Sequence, residues 1–393
     1  MHTALLTINA GSSSLKFALF SLDDSALGPQ RRFRGMVANI GGRGGFSVRD
    51  AEGNRVVDSK AVAVDHEQAL SMTLDWCREC LGGGVLQAVG HRVVHGGEHF
   101  SAPVRVNEEV IADLRRYESL APLHQPHNLN AMTTLARFHP ELPQVACFDT
   151  AFHHTQSSLA SSFALPRQFA QAGIRRYGFH GLSYEYLAGV LPDYLGTAAE
   201  GRVVVAHLGN GASLCAMQGR RSVATTMGLT PLDGLMMGTR CGALDPGVVL
   251  YLQQHMGMSA VQVGELLNER SGLLGVSGIS PDMHTLLQSE APEAREAVDL
   301  FAYRVGRELG SMAAALGGID ALVFSAGIGE RASAVREAIL EQAAWLGFEL
   351  DRASNQRGGP CITSAQSNAS AWVIPTDEEQ VIARHTWRLS RPG

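Results

Sequence analysis

The chain has 393 residues, of which 45% are apolar, 18% are charged and 43 are glycine, with a formal net charge of −6. Charged residues fall below the roughly 25% of an average domain and the apolar share suits a large core, which excludes a disordered chain, a collagen and a coiled coil. The mild negative charge, with no basic block, gives nucleic acid little to bind, so no nucleic-acid partner is expected.

In chain order, apolar runs bounded by turn residues predict strands at 4–8, 15–21, 87–94, 144–149, 202–208, 213–217 and 321–325. Helical periodicity predicts helices at 66–81, 126–138, 293–316 and 332–346. A last helix, 377–388, opens with Thr376 and Glu379 at the spacing of a capping box. Strands alternating with helices point to the α/β class. At roughly 150 residues per domain the length fits two or three domains. No Pro/Ser linker separates them, so they should be closely coupled.

Two segments echo each other. Residues 4–20 and 203–217 each read as an apolar strand, a turn of Asn, Gly and Ser, and a second apolar strand. A duplicated domain with one Gly-rich hairpin per copy explains the echo, with a ligand between the copies, although such hairpins are also common. No run of 18 apolar residues is present, so no membrane partner is expected. Met1 leads straight into an apolar run with no basic region or cleavage site, so no signal peptide is expected. Six cysteines over 393 residues are too sparse for a disulfide scaffold and point to a reducing, cytoplasmic setting.

Several motifs mislead. His95-Gly-Gly-Glu98-His99 matches a zinc-protease pattern, but that pattern needs a helix, and Gly96 and Gly97 each cost roughly 1 kcal/mol in one. Cys77 and Cys80 match C-x-x-C, yet Cys77 lies on the apolar stripe of a helix with Leu70, Leu74 and Leu81, as a core cysteine would. Gly327-Ile-Gly329-Glu-Arg-Ala332 matches the looser dinucleotide fingerprint between a strand and a helix. A Walker P-loop is absent, so any nucleotide phosphates are held by other means.

The residues that carry chemistry lie elsewhere. Asn9-Ala-Gly-Ser12-Ser13-Ser14-Leu-Lys16 gathers an amide, hydroxyls and one of only two lysines in a turn able to hold phosphate oxygens. Arg92 ends an apolar strand, as an anion clamp or a salt-bridge partner would. Asp149 ends another, where a carboxylate serves catalysis, metal or a cap. His180 sits in a Gly-bracketed loop. The long segment 227–242 is nearly uncharged, broken only by Asp233 and Arg240, so a ligand buried there would meet a desolvated Arg240. If Glu379 serves the capping box, Glu378 is left for Mg²⁺. Two arginines and a histidine for a phosphoryl group, oxygens for Mg²⁺ and three Gly-rich turns for a nucleotide make the inventory of phosphoryl transfer.

At NAGSSSLKF, GHRVVHGG, DTAFH, YGFHG, HLGNGAS, MGLTPLDGLMMGTRCG, SAGIGE and IPTDEE, in order and nearly end to end, the sequence resembles the acetate kinase family of acyl-phosphate-forming kinases. The resemblance implies two duplicated α/β domains of the actin, Hsp70 and sugar-kinase type flanking a nucleotide cleft. It implies 1–150 plus 376–393 as the acyl-substrate and metal side, and 151–375 as the nucleotide-binding and dimerisation side. The implied reaction is ATP and acetate to ADP and acetyl phosphate, by direct in-line transfer with Mg²⁺ (Mn²⁺ as an alternative), in a cytoplasmic homodimer.

Residue by residue, Asn9 and Glu378 match the family's magnesium positions, and Ser12, Ser14 and Lys16 its ATP-side turn. Arg92 matches the substrate arginine, Asp149 the catalytic aspartate, and His180 and Arg240 the transition-state stabilisers. His207, Leu208, Gly209, Asn210 and Gly211, then Asp282, Met283 and His284, then Gly327, Ile328, Gly329, Glu330 and Arg331, match the nucleotide segments. Val94, Leu123, Phe179 and Pro231 match the acyl pocket. A carboxylate substrate is already ionised at pH 7, so Asp149 should organise Mg²⁺ or an arginine and take no proton.

The chain departs from the family pattern at Leu182, Tyr184, Ala224, Ala243, His284 and Arg331. Three other readings compete: the same chemistry on propionate or another short acid, an NAD-dependent oxidoreductase, and a chaperone-like ATP-binding module. The last two leave Arg92 and Arg240 unexplained or need a peptide-binding segment with no room in the chain.

Overall fold

Two β-sheets organise the computed structural model, which describes residues 3–22, 28–42, 44–60 and 64–391. Its strands are β1 (Thr3–Ala10), β2 (Ser14–Ser21), β3 (Gln30–Ala38), β4 (Gly45–Asp50), β5 (Arg55–Lys60), β6 (Val85–Val93), β7 (Val104–Arg105), β8 (Gln144–Phe148), β9 (Arg202–Leu208), β10 (Ala212–Gln218), β11 (Arg221–Thr225), β12 (Ala321–Ser325) and β13 (Ser370–Val373). The chain divides into two compact units, Met1–Ala151 with Asp377–Gly393, and Phe152–Thr376.

In unit 1 the sheet order is β5-β4-β3-β2-β1-β6-β8-β7. The hairpin strands β1, β2 and β3 pair antiparallel, while β1, β6 and β8 run parallel. The parallel strands are buried on both faces, hence their continuous apolar runs. Helix α1 (His66–Leu81) starts on an Asp65–Gln68 capping box and ends on the left-handed Gly82. With α2 (Gln125–Phe138) it covers one face, where Leu6, Ile8, Phe17, Leu70 and Leu135 share a core. On the other face the C-terminal helix Glu378–Ser390 packs Ala383 against Leu5, Phe20 and Ala88. Gly90 of β6 permits this approach, because a Cβ there would lie 2.1 Å from the Thr386 hydroxyl.

That helix corrects the predicted cap. Asp377, not Thr376, is the N-cap, accepting from the Gln380 N–H at 3.1 Å. Glu379 instead pairs with Arg34 at 2.9 Å, and Arg31 binds Asp377. Two arginines on β3 offer Glu379 a stronger partner than one main-chain N–H does. The Thr376 hydroxyl belongs to unit 2, where it accepts from Ser183 at 2.8 Å.

Unit 2 has the order β11-β10-β9-β12-β13, antiparallel over the first three strands and parallel over the last three. This repeats β3-β2-β1-β6-β8 strand for strand and direction for direction, so the predicted duplication is present in the topology. Both predicted hairpins form, β1–β2 and β9–β10. Helix α3 (Gly181–Leu195) sets Leu187 and Leu191 against Val203, Val205 and Val323. Helix α4 (Pro292–Leu316) buries Phe301, Val305, Leu309 and Met312 at helical spacing. The Gly-rich segment is itself helical, α5 (Ala326–Arg331), and the predicted helix 332–346 forms as α6 (Ser333–Gln342) followed by a 3₁₀ turn at Ala344–Leu346.

Candidate functional site

Unit 1 holds Asn9, Ser12, Ser14, Lys16, Arg92, Val94, Leu123, Asp149 and Glu378. Asn9 and Lys16 are register partners across the β1–β2 hairpin, so their side chains share a face. The turn between them is tied down by His66, whose Nε2 lies 2.9 Å from the Gly11 carbonyl while its ring stacks on His127. Asp149 follows β8, is 1% exposed, and ties its N–H to the Val93 carbonyl at 3.0 Å.

Arg92 on the neighbouring β6 grips Asp149 with a fork: Nε to Oδ1 at 3.0 Å and Nη2 to Oδ2 at 2.6 Å. Burial disfavours the Arg92 charge, but Asp149, and after it Glu378, outweigh that and raise its pKa. Val94 follows β6, and its N–H donates to Asn128 Oδ1 at 3.1 Å, while Asn128 Nδ2 donates to the Ala10 carbonyl at 2.7 Å. Gln125 exchanges two hydrogen bonds with the His95 main chain. The start of α2, just past Leu123, is thereby fixed to the loop bearing Val94. Neither Asn128 nor Gln125 stood out in the sequence, since an amide that braces a main chain carries no motif. The His95–His99 run leaves the strand without entering a helix, and His95 Nδ1 accepts from the Gly97 N–H at 2.9 Å. Both cysteines of the C-x-x-C lie in α1, and burial pushes the Cys77 thiol up to about 12.

Unit 2 holds Phe179, His180, Pro231, Arg240 and the nucleotide segments. A cavity of about 750 Å³ is lined by Gly209, Asn210, Asp282, Met283, His284, Gly327, Ile328 and Arg331, joined by Pro281, Leu287 and Ala332. Three stretches far apart in the sequence thus meet in one place, at a volume suited to a small organic ligand. Gly211 ends the same turn and lies beside Arg240 and His180. A Cβ there would lie 2.9 Å from Arg240 Nη2 and 3.2 Å from His180 Nε2. The absence of a side chain therefore opens one spot to both groups.

Arg240 Nη1 donates to the Pro231 carbonyl at 2.7 Å. His180 adopts φ 58°, a left-handed conformation unusual for a non-glycine residue, at the start of α3. The buried His153 donates through Nε2 to the Phe179 carbonyl at 2.9 Å and holds that turn. The His180 ring stacks on His207 at 4.2 Å between centroids. Arg176, missed in the sequence, neutralises Asp233 at 3.1 Å and caps the carbonyls of Thr226 and Met227.

The model of the acetokinase family matches residues 4–384. The chain belongs to that family. A protein from Rhodopseudomonas palustris named acetate kinase is 55% identical over 100% of both chains. A propionate kinase from Francisella tularensis superposes with a TM-score of 0.92 at 36% identity, covering 98% of this chain and 100% of its own. The acetate kinase of Porphyromonas gingivalis superposes with a TM-score of 0.87 at 35% identity over 99% and 100%. Among the described residues no helix is long and apolar enough to cross a membrane.

Proposed function

We propose that the chain catalyses reversible, Mg²⁺-dependent transfer of the ATP γ-phosphoryl group to acetate, giving acetyl phosphate and ADP by direct in-line displacement. The turn 209–211 carries this reading: two of its residues line the nucleotide-sized cavity, and the third faces Arg240 and His180. The phosphate end of a nucleotide in that cavity would meet a cation and an imidazole, which offset charge on a transferring phosphoryl group.

Arg92 attracts the carboxylate substrate, and Val94 and Leu123 of the same unit are proposed for its short tail. Acetate arrives as an anion at pH 7, so no base need take a proton from it. Asp149 spends both oxygens on the Arg92 fork and aims the guanidinium.

Asn9 and Glu378 fit a hard cation: both offer oxygens, and neither side chain makes a hydrogen bond among the described residues. When bound with ATP, Mg²⁺ neutralises charge on the phosphate oxygens. Unit 1 is thus proposed as the acyl and metal side, and unit 2 as the nucleotide and dimerisation side of a cytoplasmic homodimer.

The Francisella neighbour favours a second reading, propionate as the preferred acid. One methylene is worth about 1–3 kcal/mol in such a pocket. Trapping the product as hydroxamate with Mg·ATP and acetate, propionate or butyrate in parallel decides between them. Fastest turnover on acetate is expected. Preference for propionate would reassign the substrate, and no acyl phosphate from any acid would overturn the proposal.

A further inference from the structure

Two buried side chains behind His180 form a chain of hydrogen bonds that ends on its ring. Tyr184 on α3 is fully buried, and its hydroxyl lies 2.5 Å from Ser213 Oγ. Ser213, on β10 and also fully buried, lies 2.8 Å from His180 Nδ1. The direction of the chain follows from satisfying each group. Ser213 Oγ is the one hydrogen-bond partner of the Tyr184 hydroxyl among the described residues, so the Tyr184 proton points to Ser213. Ser213 accepts that proton and has His180 Nδ1 as its remaining side-chain partner among the described residues. The reverse orientation, with His180 donating to Ser213, would leave a buried hydroxyl proton without an acceptor, a costly arrangement.

We propose that Tyr184 is a positioning residue which, through Ser213, fixes His180 as the neutral tautomer with its proton on Nε2. Nε2 is the atom that faces the spot beside Gly211 and Arg240. The imidazole is thereby set as a hydrogen-bond donor toward a phosphoryl oxygen before substrate binds. The inference rests on the proposed role of His180 in phosphoryl transfer. It gives Tyr184, a departure from the family pattern, a function of its own.

The test combines spectra with kinetics. In ¹⁵N-histidine-labelled protein, with His180 assigned by the His180→Gln variant, the wild type should show the Nε2–H tautomer. Tyr184→Phe and Ser213→Ala should each show a mixture of tautomers. Both variants should lose about tenfold in kcat for acyl phosphate formation, with KM for ATP within about twofold. The double variant should lose no more than Ser213→Ala alone, because the two groups act as one unit. An Nδ1–H tautomer in the wild type, or losses that multiply in the double variant, would overturn the inference. If the wild type makes no acyl phosphate, the kinase reading fails, and the spectra still decide the tautomer. If Tyr184→Phe does not fold, Ser213→Ala alone carries the comparison.

Discussion

Arg92 holds both oxygens of Asp149, and that arrangement determines what a substitution at 149 should do. A carboxylate gripped at 2.6 and 3.0 Å by a guanidinium is a poor base. Asp149→Asn should leave Arg92 charged but poorly aimed, cutting kcat about a hundredfold. If Asp149 only aims Arg92, as proposed, the acidic limb of the pH–rate profile should stay in place. A variant whose acidic limb disappears would show that Asp149 is the base after all. Arg92, Asp149, His180 and Arg240 could be picked out in the sequence because charge at a strand end or in a Gly-rich loop is conspicuous. Ser213 could not be, since a serine on a buried strand signals nothing until its neighbours are known.

The elements show a similar division. The Gly-rich segment 327–331 was legible from its glycines, yet what holds it was not. Arg336 on α6 is only 1% exposed, and it donates to the carbonyls of Gly329 and Glu330, both at 2.9 Å, and to Asn355 at 2.7 and 2.8 Å. Carbonyl partners leave no trace in residue type, so nothing in the sequence sets Arg336 apart from the other arginines. Arg336→Met should strand those acceptors and destabilise the fold by about 3 kcal/mol. KM for ATP should rise more than kcat falls, because α5 lines the cavity and carries no reacting group. An unchanged KM with normal thermal stability would contradict this. Strand β3 was missed because it carries three arginines, Arg31, Arg32 and Arg34, that read as a loop. Two of them hold the C-terminal helix, which is also why Glu379 is not in the predicted cap.

The whole molecule repeats one five-strand core, and each copy buries a histidine. Burial lowers the pKa of His91 in unit 1 and of His153 in unit 2 to about 4 each, against a small opposing effect of Gln144 and of the Phe179 carbonyl. Both values lie below the unfolded one, so between about pH 6.5 and 4 the unfolded chain binds protons that the folded chain refuses. Their contribution is complete above pH 6.5, is lost as pH falls through that window, and is flat below it. Each histidine is worth about 3 kcal/mol over the window. The urea midpoint should therefore drop more steeply with falling pH in the wild type than in His153→Gln. Equal slopes would place the acid sensitivity elsewhere.

Phosphorus NMR of the protein with Mg·ATP and acetate tests the central claim most directly, because it shows where the γ-phosphoryl group goes. An acetyl phosphate resonance should grow as ATP declines to ADP, with little inorganic phosphate. ATP decline that yields only inorganic phosphate, at a rate indifferent to acetate, would contradict the proposal and leave a nucleotide-hydrolysing protein in its place.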